Sequence, residues 1–184
     1  MRKIALLFLV VFVTISCSSD ALSVKKATSL INDFTRQHPV YESESIHLGE
    51  RKLRIQKDKE EIDALKKLES ESFISLKTNE LRKKLWSKDS IWDVTITLTS
   101  DASKYVIDQR KNKAEVKTYL FTIQEKSDVA LKLNTKTKAT AKAKLIKEPT
   151  PFAALSKDRN PHSEFITRDF TLKFRKETGW YVQK

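Results

Sequence analysis

The sequence predicts an α+β fold, with N-terminal helices packed on a curved antiparallel sheet formed mainly by residues 91–184. Three observations predict it. Apolar residues recur at helical spacing through the first half of the chain, the period changes to alternation after Ile91, and the alternating segments are separated by short turns. Strands joined by short turns pair antiparallel.

The elements follow in chain order. Met1, Arg2 and Lys3 give a positive start, and Ile4 to Val13 are uninterruptedly apolar. As a helix that run spans about 15 Å, roughly half of a bilayer's hydrocarbon core, so it has the dimensions of a secretory signal rather than of a permanent span. The expected division is a signal peptide over residues 1–16, a polar tether over 17–23 and one α+β domain over 24–184. The stretch VKKATSLINDFTRQHP sets Ala27, Leu30, Ile31 and Phe34 on one helical face and stops at Pro39. VYESESIHLGERKLRIQ alternates around Gly49 and predicts a hairpin turning there. Residues 58–86 carry a stripe of Ile62, Leu65, Leu68, Phe73, Leu76, Leu81 and Leu85, with acids at the start and lysines near the end. That pattern suits the helix dipole and leaves one kinked helix or two shorter ones open, with a break around Ser70 to Thr78.

From Ile91 the pattern is that of strands. WDVTITLT puts Trp92, Val94, Ile96 and Leu98 on one face. KYVIDQ and EVKTYLFTIQE follow; EFITRDFTLKFR aligns Ile166, Phe170, Leu172 and Phe174; and WYVQK returns after Gly179 as a closing hairpin. The tract DVALKLNTKTKATAKAKLIKE alternates most regularly. Lys132, Lys136, Lys138, Lys142 and Lys144 fall on even positions, and Leu131, Leu133, Ala139, Ala141, Ala143 and Leu145 on odd ones. A strand sends the two sets to opposite faces, so a ladder of lysines backs a shallow alanine face on which a helix can pack closely.

Two accounts of that ladder compete. One is a solvated face whose lysines discourage edge-to-edge aggregation. The other is a binding strip for an anionic wall polymer, a lipid headgroup or an acidic protein, in keeping with a formal charge of +12 whose excess is concentrated after residue 91. Nucleic acid is disfavoured as a partner, because aromatic residues do not interleave with these lysines in the sequence as stacking platforms require.

Composition removes several kinds of chemistry. Two glycines stand where average usage would give about thirteen, so glycine-dependent phosphate loops and dinucleotide turns are excluded. His38, His47 and His162 are far apart and Cys17 is the single cysteine, which leaves no expectation of a metal site, a cofactor or an internal disulfide. Carboxylate pairs such as Glu42 with Glu44, or Glu60 with Glu61, carry no weight without geometry, and no catalytic residue is assigned. The chain is expected not to be an enzyme.

The segment Thr14-Ile15-Ser16-Cys17, followed by Ser18, Ser19 and Asp20, resembles the lipobox of bacterial lipoproteins, with Thr14 where most members carry leucine. The resemblance implies that a signal peptidase cuts before Cys17, whose sulfur carries diacylglycerol and whose fatty acids, palmitate among them, hold the protein in a membrane. Ser18 is not the aspartate that retains many such proteins at the inner membrane of Gram-negative bacteria, so the resemblance implies an outer-membrane anchor, on the periplasmic or the surface side. Two weaker resemblances follow. Lys147 to Phe152, a Phe-rich strand and the closing Gly179-Trp180-Tyr181-Val182 look like the tail of NTF2-like or cystatin-like envelope domains. Ala64 to Thr78 followed by Ile96 to Ile107 is similar to a winged-helix pattern. The function expected from all of this is a non-catalytic binding or structural module of the cell envelope, with a lipid-anchored protective factor, such as a toxin-immunity or phage-exclusion protein, as the alternative.

Overall fold

The computed structural model describes residues 21–83, 89–124, 129–157 and 163–184. Cys17 with its lipobox, Lys84, Leu85 and His162 lie outside the described residues. Strand predominates, in antiparallel sheets accompanied by few helices.

Ser23 starts the first helix, α1 (Val24–Gln37): its hydroxyl accepts the Lys26 amide at 3.2 Å and satisfies one of the free N-terminal donors. Ala27 and Ile31, one turn apart on the predicted face, are fully buried, and Phe34 meets Phe170 edge-on at 6.3 Å. The chain then enters β1 (Val40–His47) and β2 (Gly49–Arg54). These two strands do not form the predicted hairpin. β1 pairs with β6 (Lys113–Thr122) and β2 with β4 (Ser90–Leu98), so Gly49, at φ +81°, is the bend by which the chain passes from one sheet into the other.

The second helix, α2 (Lys59–Ser70), stops well short of residue 86, and the expected helical stripe ends with it. Residues 74–83 form β3 (Ile74–Lys83), with Leu81 62 % exposed. The stop signal is a Schellman motif made without glycine: Ser72 takes φ +65°, Ser72 N–H donates to Glu69 O and Phe73 N–H to Leu68 O, each at 2.9 Å. β3 and β2 flank β4, whose Val94 and Ile96 are buried as the alternation required. This three-stranded sheet, drawn largely from the first half, was not legible in the sequence. Within Ile96 to Ile107, the second part of the winged-helix resemblance, lies a 3-10 turn, Ser100–Tyr105, with Ala102 buried inside it.

The larger sheet has seven strands. β6 pairs with β1 and with β5 (Val106–Arg110); β8 (Lys138–Pro149) lies between β6 and β9 (Phe165–Arg175); β10 (Gly179–Val182) closes on β9, and β7 (Val129–Thr135) pairs with β8. β1 is therefore its single strand from before residue 91. The tract read as one lysine-bearing strand is in fact the β7–β8 hairpin. It turns at Lys136 and Thr137, and because Lys132 faces Thr140 and Leu131 faces Ala141, the even and odd sets keep their separate faces through the turn.

Two packed cores result. In one, Ala27 and Ile31 of α1 lie on Ala139, Ala141, Ala143, Leu145 and Leu172, all fully buried. The methyl side chains of β8 are what allow the helix to sit close to the sheet. In the other, Ile62, Leu65 and Leu68 of α2 pack with Leu53, Val94, Ile96 and Phe152. β6 serves both: Ala114 and Val116 point into the second core and Phe121 into the first, joined there by Ile123 just past the strand's end. The parity reverses at a bulge, where Tyr119 pairs with Glu42 but Lys117 with Ser43, leaving Thr118 as the additional residue. Thr150 braces the bulge, its amide donating to Thr118 O at 2.9 Å and its hydroxyl lying 2.5 Å from Lys117 O.

Candidate functional site

The outward face of β7–β10 is built by register. Even residues of β8 point outward because odd ones are consumed by the α1 core; odd residues of β9 share that face, since Lys138 pairs with Lys173, Thr140 with Thr171, Lys142 with Asp169 and Lys144 with Thr167. β10 adds Tyr181, the partner of Lys173. Lys132 joins from β7 beside Thr140. The face therefore gathers Lys132, Lys138, Lys142, Lys144, Lys173 and Arg175 around the carboxylate of Asp169, with threonine hydroxyls between the cations.

Four of the five predicted strip lysines are brought together in this way. The fifth, Lys136, sits in the hairpin turn and is not part of the ladder. The expectation of edge protection also fails for the β8 lysines: β8 has partners on both sides, so Lys138, Lys142 and Lys144 guard no free edge. Of the predicted lysines on this face, only Lys132 is on a strand, β7, that pairs on one side.

Sequence reasoning missed half of the face. Lys173 and Arg175 come from β9, where the alternation Phe165, Thr167, Asp169, Thr171, Lys173, Arg175 was present but was read only for its apolar partners. Pairing also supplies the aromatic residues that the lysine tract lacks. Lys144 Nζ lies 4.2 Å from the Phe165 ring centroid and the Arg175 guanidinium 4.7 Å from that of Tyr181. Phe165 is 44 % exposed and Tyr181 half-buried. Pairing thus brings two rings to the cations that the lysine tract itself does not contain, and they stand at opposite ends of the face, separated by about 26 Å along β9.

The face has one compensated pair, Lys142 opposite Asp169, and is otherwise cationic. Lys138 and Lys173 stand directly opposite one another, an arrangement that costs from a few tenths to about 1 kcal/mol relative to a neutral pair. Exposed ammonium, guanidinium and hydroxyl groups at this density can donate hydrogen bonds to phosphate or carboxylate oxygens, and the rings can cover apolar ligand surface.

The other residues singled out in the sequence are scattered. His38 caps α1 and stacks on Phe34 at 4.5 Å. Glu42 binds Lys147 at 3.3 Å and Glu61 binds Arg51 at 3.2 Å, while Glu60 lies in the first turn of α2. No cluster of three or more His, Cys, Asp or Glu able to hold a metal occurs among the described residues. No family model, curated protein or solved structure matches this chain.

Proposed function

We propose that this chain is a cell-envelope lipoprotein, tethered by lipid on Cys17 to the outer membrane, whose folded part is a non-catalytic module that binds anionic surfaces through the outward face of β7–β10. In this reading the helices packed on the curved antiparallel sheet are the scaffold: α1 fixes one face of β8, and the other is left for the ligand.

One observation carries the reading. Cations are concentrated on internal strands, with Lys138 directly across from Lys173 and six positive side chains gathered around Asp169. On an internal strand such a cluster gives no protection against aggregation and costs stability, so a counter-charged partner accounts for it better than solvation does. The partner is a surface carrying repeated anionic groups: lipid phosphates or an anionic wall polymer.

The test is co-sedimentation of the non-lipidated chain, residues 18–184, with phosphatidylcholine vesicles, with vesicles containing phosphatidylglycerol and with purified anionic wall polymer, over a range of salt. Binding to the anionic materials alone, falling steeply as salt rises, supports the proposal. Equal retention on neutral vesicles, or none on any of these, overturns it. Tighter retention of single-stranded nucleic acid than of any envelope material would reassign the face, since Phe165 and Tyr181 offer rings on which bases could stack.

A further inference from the structure

The registers that assemble the outward face also put its cations in order. Successive outward positions on one strand are about 6.6 Å apart, and the pairings align them in rows across β7, β8 and β9. Five consecutive rows each hold a cation: Arg175, then Lys173 with Lys138, then Lys132 beside Thr140, then Lys142, then Lys144. The cations therefore form a track along β8 and the end of β9, with a positive row at every two-residue step over about 26 Å.

The track is bounded. The next row, Ile146 opposite Phe165, carries no charge and closes one end. Asp169, across from Lys142, repels anions from the middle of β9, so the path runs on the β7 side, where Lys132 stands. Among the described residues no ion pair ties any of the six cations to a carboxylate. The two in the end rows lie over rings instead, Lys144 over Phe165 and Arg175 over Tyr181.

This order narrows the ligand. A bilayer presents anionic groups in every direction across a plane, so attraction to it follows the number of lysines and arginines near the surface and not their sequence along a line. A bounded file of charges fits one chain lying lengthwise. Hydroxyls accompany the file: Thr140 lies between Lys138 and Lys142, and Thr167 is opposite Lys144. A phosphate group has oxygens enough to accept from an ammonium and a neighbouring hydroxyl together. Rings stand only at the two ends, so successive bases of a nucleic acid would find no stacking surface along the middle rows. We propose that the track binds a segment of a linear, base-free phosphate polymer, laid along β8 between Arg175 and Lys144. The assignment rests on the reading of the outward face as an anion-binding surface and selects the polymer over the bilayer.

The experiment measures binding of the full chain to inorganic polyphosphate of graded length, from triphosphate upward, by isothermal titration calorimetry at several salt concentrations. Affinity rises steeply with length until the polymer spans about 26 Å, the extent of the five rows, and then levels. For long chains the logarithm of the binding constant falls against that of salt with a slope of about −3.5, as five phosphate contacts require, and Lys142→Ala reduces the slope by roughly 0.7. Asp169→Asn tightens binding several-fold, whereas Lys52→Ala and Lys77→Ala, exposed on the smaller sheet, change neither affinity nor slope. Affinity indifferent to chain length would overturn the proposal, as would Lys52→Ala acting as strongly as Lys142→Ala, or tighter binding of an oligothymidylate or a polyglutamate of equal charge. Salt-sensitive retention on phosphatidylglycerol vesicles together with length-indifferent polyphosphate binding overturns the track and leaves the anion-binding reading standing; no binding to either material overturns both.

Discussion

Reversing three charges on β8 is the sharpest test of the outward face. Lys138, Lys142 and Lys144 are exposed, and each has its backbone paired on the outward-facing sheet, so substitution by Glu alters charge without removing a core contact. A lysine near an anionic bilayer contributes about 1 kcal/mol of attraction. Loss of three therefore removes about 3 kcal/mol, roughly a 150-fold decrease in vesicle affinity, and the introduced carboxylates add repulsion to this. Folding stability should stay level, because Lys138→Glu converts the like-charged pair with Lys173 into an opposite-charged one, a gain of a few tenths to about 1 kcal/mol, while Lys142→Glu turns the opposite-charged pair with Asp169 into a like-charged one at a similar cost. The measurements are vesicle flotation at low ionic strength and urea unfolding on the same preparations. A triple variant that still binds anionic vesicles within about threefold of the parent would refute the reasoning, provided its urea midpoint is unchanged.

Three further outcomes test the account of the fold. Ser72→Gly should raise the stability by about 1 kcal/mol in urea unfolding, since Ser72 holds φ +65° in the Schellman stop of α2, where a side chain is strained. Ala141→Leu should lower it by about 1–3 kcal/mol, because Ala141 is fully buried beneath α1 and the helix cannot approach past a larger residue; an unchanged melting temperature would show that α1 does not pack there. Thr150→Val should cost about 1–2 kcal/mol by removing the hydroxyl that meets Lys117 O and accepts the Phe152 amide, and amide exchange should quicken at the β6 bulge before elsewhere.

The parts of the fold that could be read from the sequence were those in which local pattern and tertiary burial agree. The face of α1, the buried side of β4 and the two faces of β8 follow directly from periods of 3.6 and 2. Misreadings arose where a boundary is set without the usual residues. With two glycines in the chain, α2 is stopped by Ser72, and the β7–β8 turn is made at Lys136 and Thr137; neither carries the expected punctuation. The second sheet escaped notice because Gly49 does not close a hairpin there but hands the chain from one sheet to another, a long-range choice that no local window contains. For the candidate site, the tract showed which lysines share a side, but Lys173, Arg175, Phe165 and Tyr181 join them only through the registers of β8–β9 and β9–β10.

The same registers connect the alanines to the lysines in a way composition alone would not suggest. A helix can approach β8 closely only if the inward positions are small, and Ala139, Ala141 and Ala143 meet that need while offering little apolar area of their own. The core here depends instead on large residues from neighbouring elements: Ile31, Phe121, Phe170, Leu172 and Trp180. Since neighbours fill the inward side, the outward positions of β8 are relieved of any part in holding the core together and are free to carry charge. Strand β4 shows the contrasting case. It is also internal to its sheet, yet its own Val94 and Ile96 are buried and the positions between them are Asp93, Thr95 and Thr97, with no cation among them. An internal strand in this chain therefore need not carry lysines: in the smaller sheet Lys52 and Lys77 sit on the flanking strands, opposite Asp93 and Thr95, whereas in the larger sheet the cations occupy the internal strands β8 and β9.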